Sequence, residues 1–166
     1  MFVGCEPLPA LATTFQQAVS GRVYGNLATI VENHPAIKKF PHEGFCDWQF
    51  YSMLEGGNAV VFNRLDLPFN PIIEIVSTFK VVRKQAALFE LQVEKGKLLV
   101  CTLNLFANDP AAKYLLNILM DYIESDEFCP RDTVSSMHLK ELVNRKYEPV
   151  ESCDTDQAFD PNAQLL

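Results

Sequence analysis

The chain has 166 residues, 48% of them hydrophobic and 21% charged, as in an ordinary globular protein. This length favours a single domain that can bury a sizeable core. The formal net charge of −7 argues against a nucleic-acid partner, because phosphate binding needs a basic surface. No apolar stretch approaches the roughly 20 residues of a transmembrane helix, so we expect no membrane partner.

The cysteines favour a reduced, cytoplasmic setting. Five cysteines occur at wide spacings, and the odd number does not suggest a disulfide framework. The sequence contains no CxxC pair, which argues against a structural zinc site of the common kind. No signal peptide is visible at the start of the sequence. We therefore expect a cytoplasmic protein with neither a metal nor another cofactor.

The first half of the chain predicts short elements. Residues 10–20 predict a weak helix with a poor apolar face. Residues 22–31, 59–62 and 72–76 predict strands, because each segment is rich in branched apolar residues. Residues 47–51 begin either a helix or a strand, since their pattern fits both.

The clearest pattern is a strand pair over residues 87–103. Apolar and polar residues alternate from Phe89 to Glu94, as in a strand with one buried face. Lys95 and Gly96 then predict a tight turn, because glycine accepts the positive φ of a short hairpin loop. The apolar run at 98–101 indicates a strand covered on both faces.

A strongly amphipathic helix follows over residues 110–124. Asn108 or Asp109 can cap it, and Pro110 suits the first helical position. A second, shorter helix starts near Ser135 or Ser136. We therefore predict one α/β domain over residues 1–148. The remaining residues, 149–166, carry four acidic and no basic side chains and predict a poorly ordered tail.

An aromatic cluster provides the candidate binding residues. Trp48, Phe50 and Tyr51 fall within four positions, and aromatic rings can stack on the apolar face of a sugar. Together with the nearby polar side chains of His42 and Asp47, Trp48 and Tyr51 form our candidate carbohydrate-binding site. The same aromatic density is also typical of a buried corner or an interface, and the sequence leaves this alternative open.

A small hydrolase is another possible function. Its nucleophile would be Cys5 or Cys46, and its base would be His34 or His42. The two histidines match no spacing with a known catalytic or metal-binding geometry. An enzyme of this kind requires a cysteine and a histidine within hydrogen-bond reach in a cleft.

Two segments of the chain resemble a known family. Residues 33–51, NHPAIKKFPHEGFCDWQFY, resemble a "HPa…FPt…dWQW" stretch, in which Phe50 replaces the second tryptophan. Residues 88–105, with the following Asp109, Pro110 and leucines, look like a "lfE.kvgkGKLlvcs.dL…Paa..Ll" ending. Both stretches occur in this order near the end of bacterial glycoside hydrolase family 2 or β-galactosidase-like proteins.

The resemblance implies an accessory domain and no catalytic residue. In those proteins this region is similar to a class I glutamine amidotransferase-like domain, a flavodoxin-like sheet flanked by helices. The hydrolytic carboxylates belong to a separate barrel, so none is carried over to this chain. The resemblance also implies that an N-terminal part of such a domain is missing. Partners would then be the catalytic domains of a glycoside hydrolase or a second copy of the chain.

Overall fold

The computed structural model describes residues 8–15, 28–76, 83–106 and 108–148. These residues form a seven-stranded sheet, three α-helices and two 3-10 turns. The strands are β1 Ala10–Ala12, β2 Ala28–Val31, β3 Asn58–Val61, β4 Ile73–Val76, β5 Gln85–Val93, β6 Gly96–Cys101 and β7 Thr133–Val134. The helices are α1 Tyr51–Glu55, α2 Pro110–Glu124 and α3 Ser136–Asn144, and the 3-10 turns are Trp48–Phe50 and Phe62–Arg64.

Strand β5 lies at the centre of the sheet. The main order is β1-β3-β5-β4-β2, and β6 and β7 also pair with β5. Strands β3 and β4 flank the beginning of β5, whereas β6 and β7 flank its end. Every pairing is antiparallel except that of β5 with β7.

The expected flavodoxin-like fold is therefore wrong. A flavodoxin-like sheet is built from parallel strands joined by helical crossovers. Here a two-residue loop joins β5 to β6, and so short a connection forces an antiparallel pair. The described residues have a β-rich, mostly antiparallel fold with three short helices. The wrong expectation came from the resemblance, whereas the apolar run at 98–101 predicted only a strand covered on both faces, which an antiparallel strand can also be.

The predicted hairpin is present, but its turn lies one residue earlier. Gly96 pairs with Val93 inside the sheet, so the loop consists of Glu94 and Lys95. Glu94 takes the positive φ, +52°, that the sequence pattern assigned to the glycine. The Glu94 carboxylate accepts hydrogen bonds from the backbone N–H and the hydroxyl of Ser136, which hold its pKa below the ordinary value. The turn is thus tied to the start of α3.

Helix α2 begins and ends as its sequence predicts. The Asp109 carboxylate accepts a hydrogen bond from the backbone N–H of Ala111 at 2.7 Å, and Pro110 occupies the first turn. The short helix near residue 136 is also confirmed, with Ser135 as its cap. The segment 10–20 differs: residues 10–12 form β1, and 16–20 lie outside the described residues. Of the strand expected at 22–31, the structure describes only β2.

The sheet separates two hydrophobic cores. Neighbouring residues of one strand, such as Ala59 and Val60, belong to different cores because side chains alternate across a sheet. Helix α2 and the 48–55 segment cover one face, and α3 covers the other. The first core includes Phe40, Phe50, Met53, Leu54, Ile73, Leu115 and Leu119. The second includes Val60, Phe62, Phe89, Leu91, Val134 and Leu142. The tail expected at 149–166 lies outside the described residues.

Candidate functional site

A short helical segment presents two of the predicted site residues to solvent. The 3-10 turn at 48–50 continues directly into α1, so Trp48 and Tyr51 lie three positions apart on one side. Phe50, Met53 and Leu54 point to the other side and are fully buried. This segment therefore anchors itself in the core through one set of residues and displays the other.

Three aromatic rings meet at this place. The ring centroid of Phe15 lies 5.0 Å from that of Trp48 and 5.4 Å from that of Tyr51. The centroids of Trp48 and Tyr51 lie 6.3 Å apart, with their planes 32° from parallel. Trp48 is 72% exposed and Tyr51 is 48% exposed. We call Phe15, Trp48 and Tyr51 the three-ring surface; its rings support one another and leave most of the indole open to solvent.

Phe15 is the member that sequence reasoning missed. Its backbone N–H donates to Glu55 Oε1 at 2.8 Å, which ties the segment after β1 to the end of α1. Thr13 adds a buried hydrogen bond from its hydroxyl to the carbonyl oxygen of Leu54 at 2.7 Å. The nearby Gly57 has no room for a side chain, because a Cβ there would overlap a backbone oxygen of α1. No local pattern at Phe15 reveals these contacts, since their partners lie about 40 residues away.

Acidic side chains border the three-ring surface. Asp47 directly precedes Trp48, and its Oδ1 atom is buried without a hydrogen-bond partner in the described part of the chain. Glu55 lies one helical turn after Tyr51 and contacts Phe15 through the hydrogen bond described above. The Ser52 hydroxyl donates to Asp109, and this bond is the main reason that the pKa of Asp109 lies below its ordinary value. Glu55 is thus the acidic residue whose contact with the three-ring surface the structure describes.

His42 has a different set of contacts from the other predicted site residues. Its Nδ1 atom accepts a hydrogen bond from the backbone N–H of Gly44 at 3.2 Å. In the described residues, no hydrogen bond or ring contact links His42 to the three-ring surface. The structure therefore brings Trp48 and Tyr51 together, leaves Asp47 beside them in the chain, and gives His42 no part in the cluster.

The residues named for a hydrolase do not form a catalytic pair. Cys5 lies outside the described residues, and Cys46 is buried, which raises the pKa of its thiol to about 12. His34 uses Nδ1 to accept the backbone N–H of Ala36 at 3.2 Å, so this nitrogen is not available as a base. No hydrogen bond among the described residues joins Cys46 to a histidine. The described residues also contain no group of three or more His, Cys, Asp or Glu able to hold a metal ion.

A second polar cluster was not visible in the sequence. His34 Nε2 lies 3.6 Å from Glu90 Oε1, and the Tyr122 hydroxyl donates to Glu90 Oε2 at 2.7 Å. Burial, followed by the hydrogen bond to Glu90, raises the pKa of Tyr122. The three residues come from the loop after β2, from β5 and from α2. Their contacts link these elements at the edge of the first core, which is a structural role.

These observations define a β-rich domain with an exposed aromatic surface, in whose described residues Cys46 does not pair with a histidine. The chain belongs to a family known as a domain of unknown function, DUF8487, whose family model matches residues 13–144. The matched range contains all three rings of the surface. No curated protein matches the chain. None of the helices in the described ranges is long and apolar enough to cross a membrane.

Proposed function

We propose that this chain is a non-catalytic accessory domain that binds carbohydrate through the three-ring surface, in association with a glycoside hydrolase. The observation that carries the proposal is the exposure of Trp48, whose ring is 72% exposed although it contacts Phe15 and lies beside Tyr51. A contiguous exposed patch of aromatic side chains often marks a binding site, whereas a single exposed ring does not. The flat face of an indole suits the apolar face of a sugar ring.

The supporting rings favour binding over a purely structural role. Trp48 contributes little to either core, since the buried residues of its segment are Phe50, Met53 and Leu54. The ring centroids of Phe15 and Tyr51 lie 5.0 Å and 6.3 Å from that of Trp48, and neighbouring rings reduce the rotamer freedom that a stacked ligand would remove. A ring that is both exposed and held in place is suited to recognition.

The resemblance to the ends of β-galactosidase-like proteins supports the association with a glycoside hydrolase. Such a domain contributes binding or assembly, while a separate barrel performs hydrolysis. A cytoplasmic setting forms part of this proposal. It is supported by Cys46, Cys101 and Cys129, which are all free thiols in the structure.

Fluorescence of Trp48 tests carbohydrate binding directly. Trp48 is the chain's single tryptophan, so any spectral change on adding a mono- or oligosaccharide reports on this surface. We expect a saturable blue shift with at least one neutral sugar. Tyr51→Ala should weaken that response, whereas Met137→Ala should not, because Met137 is equally exposed but lies on α3 across the sheet. A flat response to all sugars would refute the proposal.

Assembly is a second candidate function, favoured by the apolar flank of α2. Leu116, Met120 and Ile123 lie along one side of this helix; Leu116 is half-buried, and Met120 and Ile123 are 43% and 38% exposed. An exposed apolar stripe of this kind is typical of a protein–protein contact. The partner would be a catalytic domain or a second copy of the chain.

Light scattering after size-exclusion chromatography tests the second copy. If α2 forms a homodimer, Met120→Glu should convert the dimer to a monomer. Met137→Glu makes the same exchange at an exposed methionine of α3, on the other side of the sheet, and should leave the dimer intact. A monomer at all concentrations would refute self-association.

A further inference from the structure

Two acidic residues, Glu55 and Asp47, adjoin the three-ring surface in the described part of the chain. Glu55 is in direct contact with Phe15 through its hydrogen bond, and it lies one turn after Tyr51 on α1. Asp47 directly precedes Trp48 at the start of the 3-10 turn. The Glu55 carboxylate therefore lies against the backbone of Phe15, whose ring contacts Trp48, whereas Asp47 adjoins Trp48 in the chain with its Oδ1 atom buried.

Neither of these carboxylates is neutralised within the described residues. Asp47 Oδ1 is without a hydrogen-bond partner there, and Glu55 is bonded only to a neutral backbone N–H. The ion pairs that the structure describes do not include Asp47 or Glu55. The described cation–π contacts lie on Phe69 and Phe128, away from the three-ring surface. Among the described residues, no ion pair thus offsets the charge of Glu55 beside the three-ring surface.

The aromatic faces of the surface also favour a positively charged ligand. The face of an indole carries a negative potential and attracts cations, and it does so more strongly than the rings of Phe or Tyr. A ligand that combines an apolar ring face with a positive charge would satisfy both the rings and the carboxylates. A ligand with its own carboxylates would be repelled.

We propose that the three-ring surface selects amino sugars, that is, oligosaccharides with protonated amino groups. This inference rests on the proposed function, because it specifies the class of sugar that the same surface takes. In the complex, the sugar ring stacks on Trp48, and its ammonium group interacts with Glu55. Uronic-acid oligosaccharides are excluded by the same charges.

The test is a Trp48 fluorescence titration with three oligomers of similar length, at about pH 6 so that amino groups are protonated. The probes are glucosamine oligomers, their N-acetylated neutral counterparts, and galacturonic acid oligomers. We expect the glucosamine oligomers to bind about three- to tenfold more tightly than the neutral ones at low salt, since exposed charge and cation–π contacts are modest. Added salt should reduce the difference.

A conservative variant separates charge from structure. Glu55→Gln keeps an acceptor for the Phe15 N–H but removes the charge, so the affinity ratio of glucosamine to neutral oligomers should fall towards one. Glu124→Gln removes an exposed charge at the end of α2 and should leave the ratio unchanged.

The outcomes distinguish this inference from the proposed function. Equal affinity for charged and neutral oligomers, or tighter binding of the galacturonic acid oligomers, would overturn the preference for amino sugars while leaving carbohydrate binding in place. If no oligosaccharide changes the Trp48 spectrum, both the proposed function and this inference fail. An unchanged ratio in Glu55→Gln would overturn the role given to that carboxylate.

Discussion

Two buried thiols are expected to make the fold sensitive to alkaline pH. Cys46 and Cys101 lie in the first core, and burial raises the pKa of each thiol from 9.0 to about 12. Above pH 9 the unfolded chain loses these protons, whereas the folded chain keeps them. The contribution of the thiols to the free energy of unfolding is therefore fully present below pH 9 and is lost as pH rises towards 12.

The size of this effect follows from proton linkage. A difference of one bound proton changes the free energy of unfolding by about 1.4 kcal/mol per pH unit. Two thiols give about 2.7 kcal/mol per pH unit, so two pH units above the ordinary thiol pKa remove about 5 kcal/mol. That loss equals the whole stability of many domains of this size.

Urea unfolding, monitored by far-ultraviolet circular dichroism from about pH 8 to about pH 11 under reducing conditions, measures how steeply the free energy of unfolding falls with pH. The double variant Cys46→Ala with Cys101→Ala should lose most of the pH dependence, even though it is less stable at about pH 8 because of lost packing. Cys129→Ala removes an exposed thiol and should retain the wild-type slope. Equal slopes for the wild type and the double variant would show that the buried thiols are not responsible.

Three further substitutions test the packing that supports the site. Leu115→Ala, at a fully buried position of α2, should lower the free energy of unfolding by about 3 kcal/mol. Asn117→Ala, on the exposed side of the same helix, should change it by less than about 0.5 kcal/mol. Urea unfolding of both variants measures this difference. Tyr122→Phe removes the hydroxyl that donates to Glu90 and should lower the free energy of unfolding by about 1–2 kcal/mol. An unchanged free energy of unfolding would mean that this hydrogen bond does not stabilise the fold. Gly57→Ala should destabilise the fold by about 1–3 kcal/mol, because its Cβ would overlap a backbone oxygen, and a thermal melt that does not shift would refute this clash.

The elements that the sequence predicted well are those with a local signal. In β5 the alternation of apolar and polar residues before Glu94 is a local pattern. In α2 the cap, the proline and the apolar rows also lie within a few residues of one another, so the pattern alone identifies the helix. The position of the turn was wrong by one residue because Ser136, which binds Glu94, lies 42 positions away.

The sheet order and the site depended on contacts that have no local signal. Strand β1 has three residues, too few for any period, and it forms through pairing with β3. The sequence named Trp48 and Tyr51 but left open whether they are core or surface. Their exposure follows from Phe50, which takes the buried side of the same turn, and Phe15 joins them through a bond to Glu55 that spans 40 positions.

The central position of β5 affects the order in which the sheet can form during synthesis. During synthesis, β1 and β3 leave the ribosome and can pair, as can β2 and β4, but the two pairs share no strand until β5 emerges. Their apolar faces stay open in that interval, which is when a nascent chain is most prone to aggregate. Because β5 pairs with both β3 and β4, its arrival joins the two pairs into one sheet, to which β6 and β7 then add.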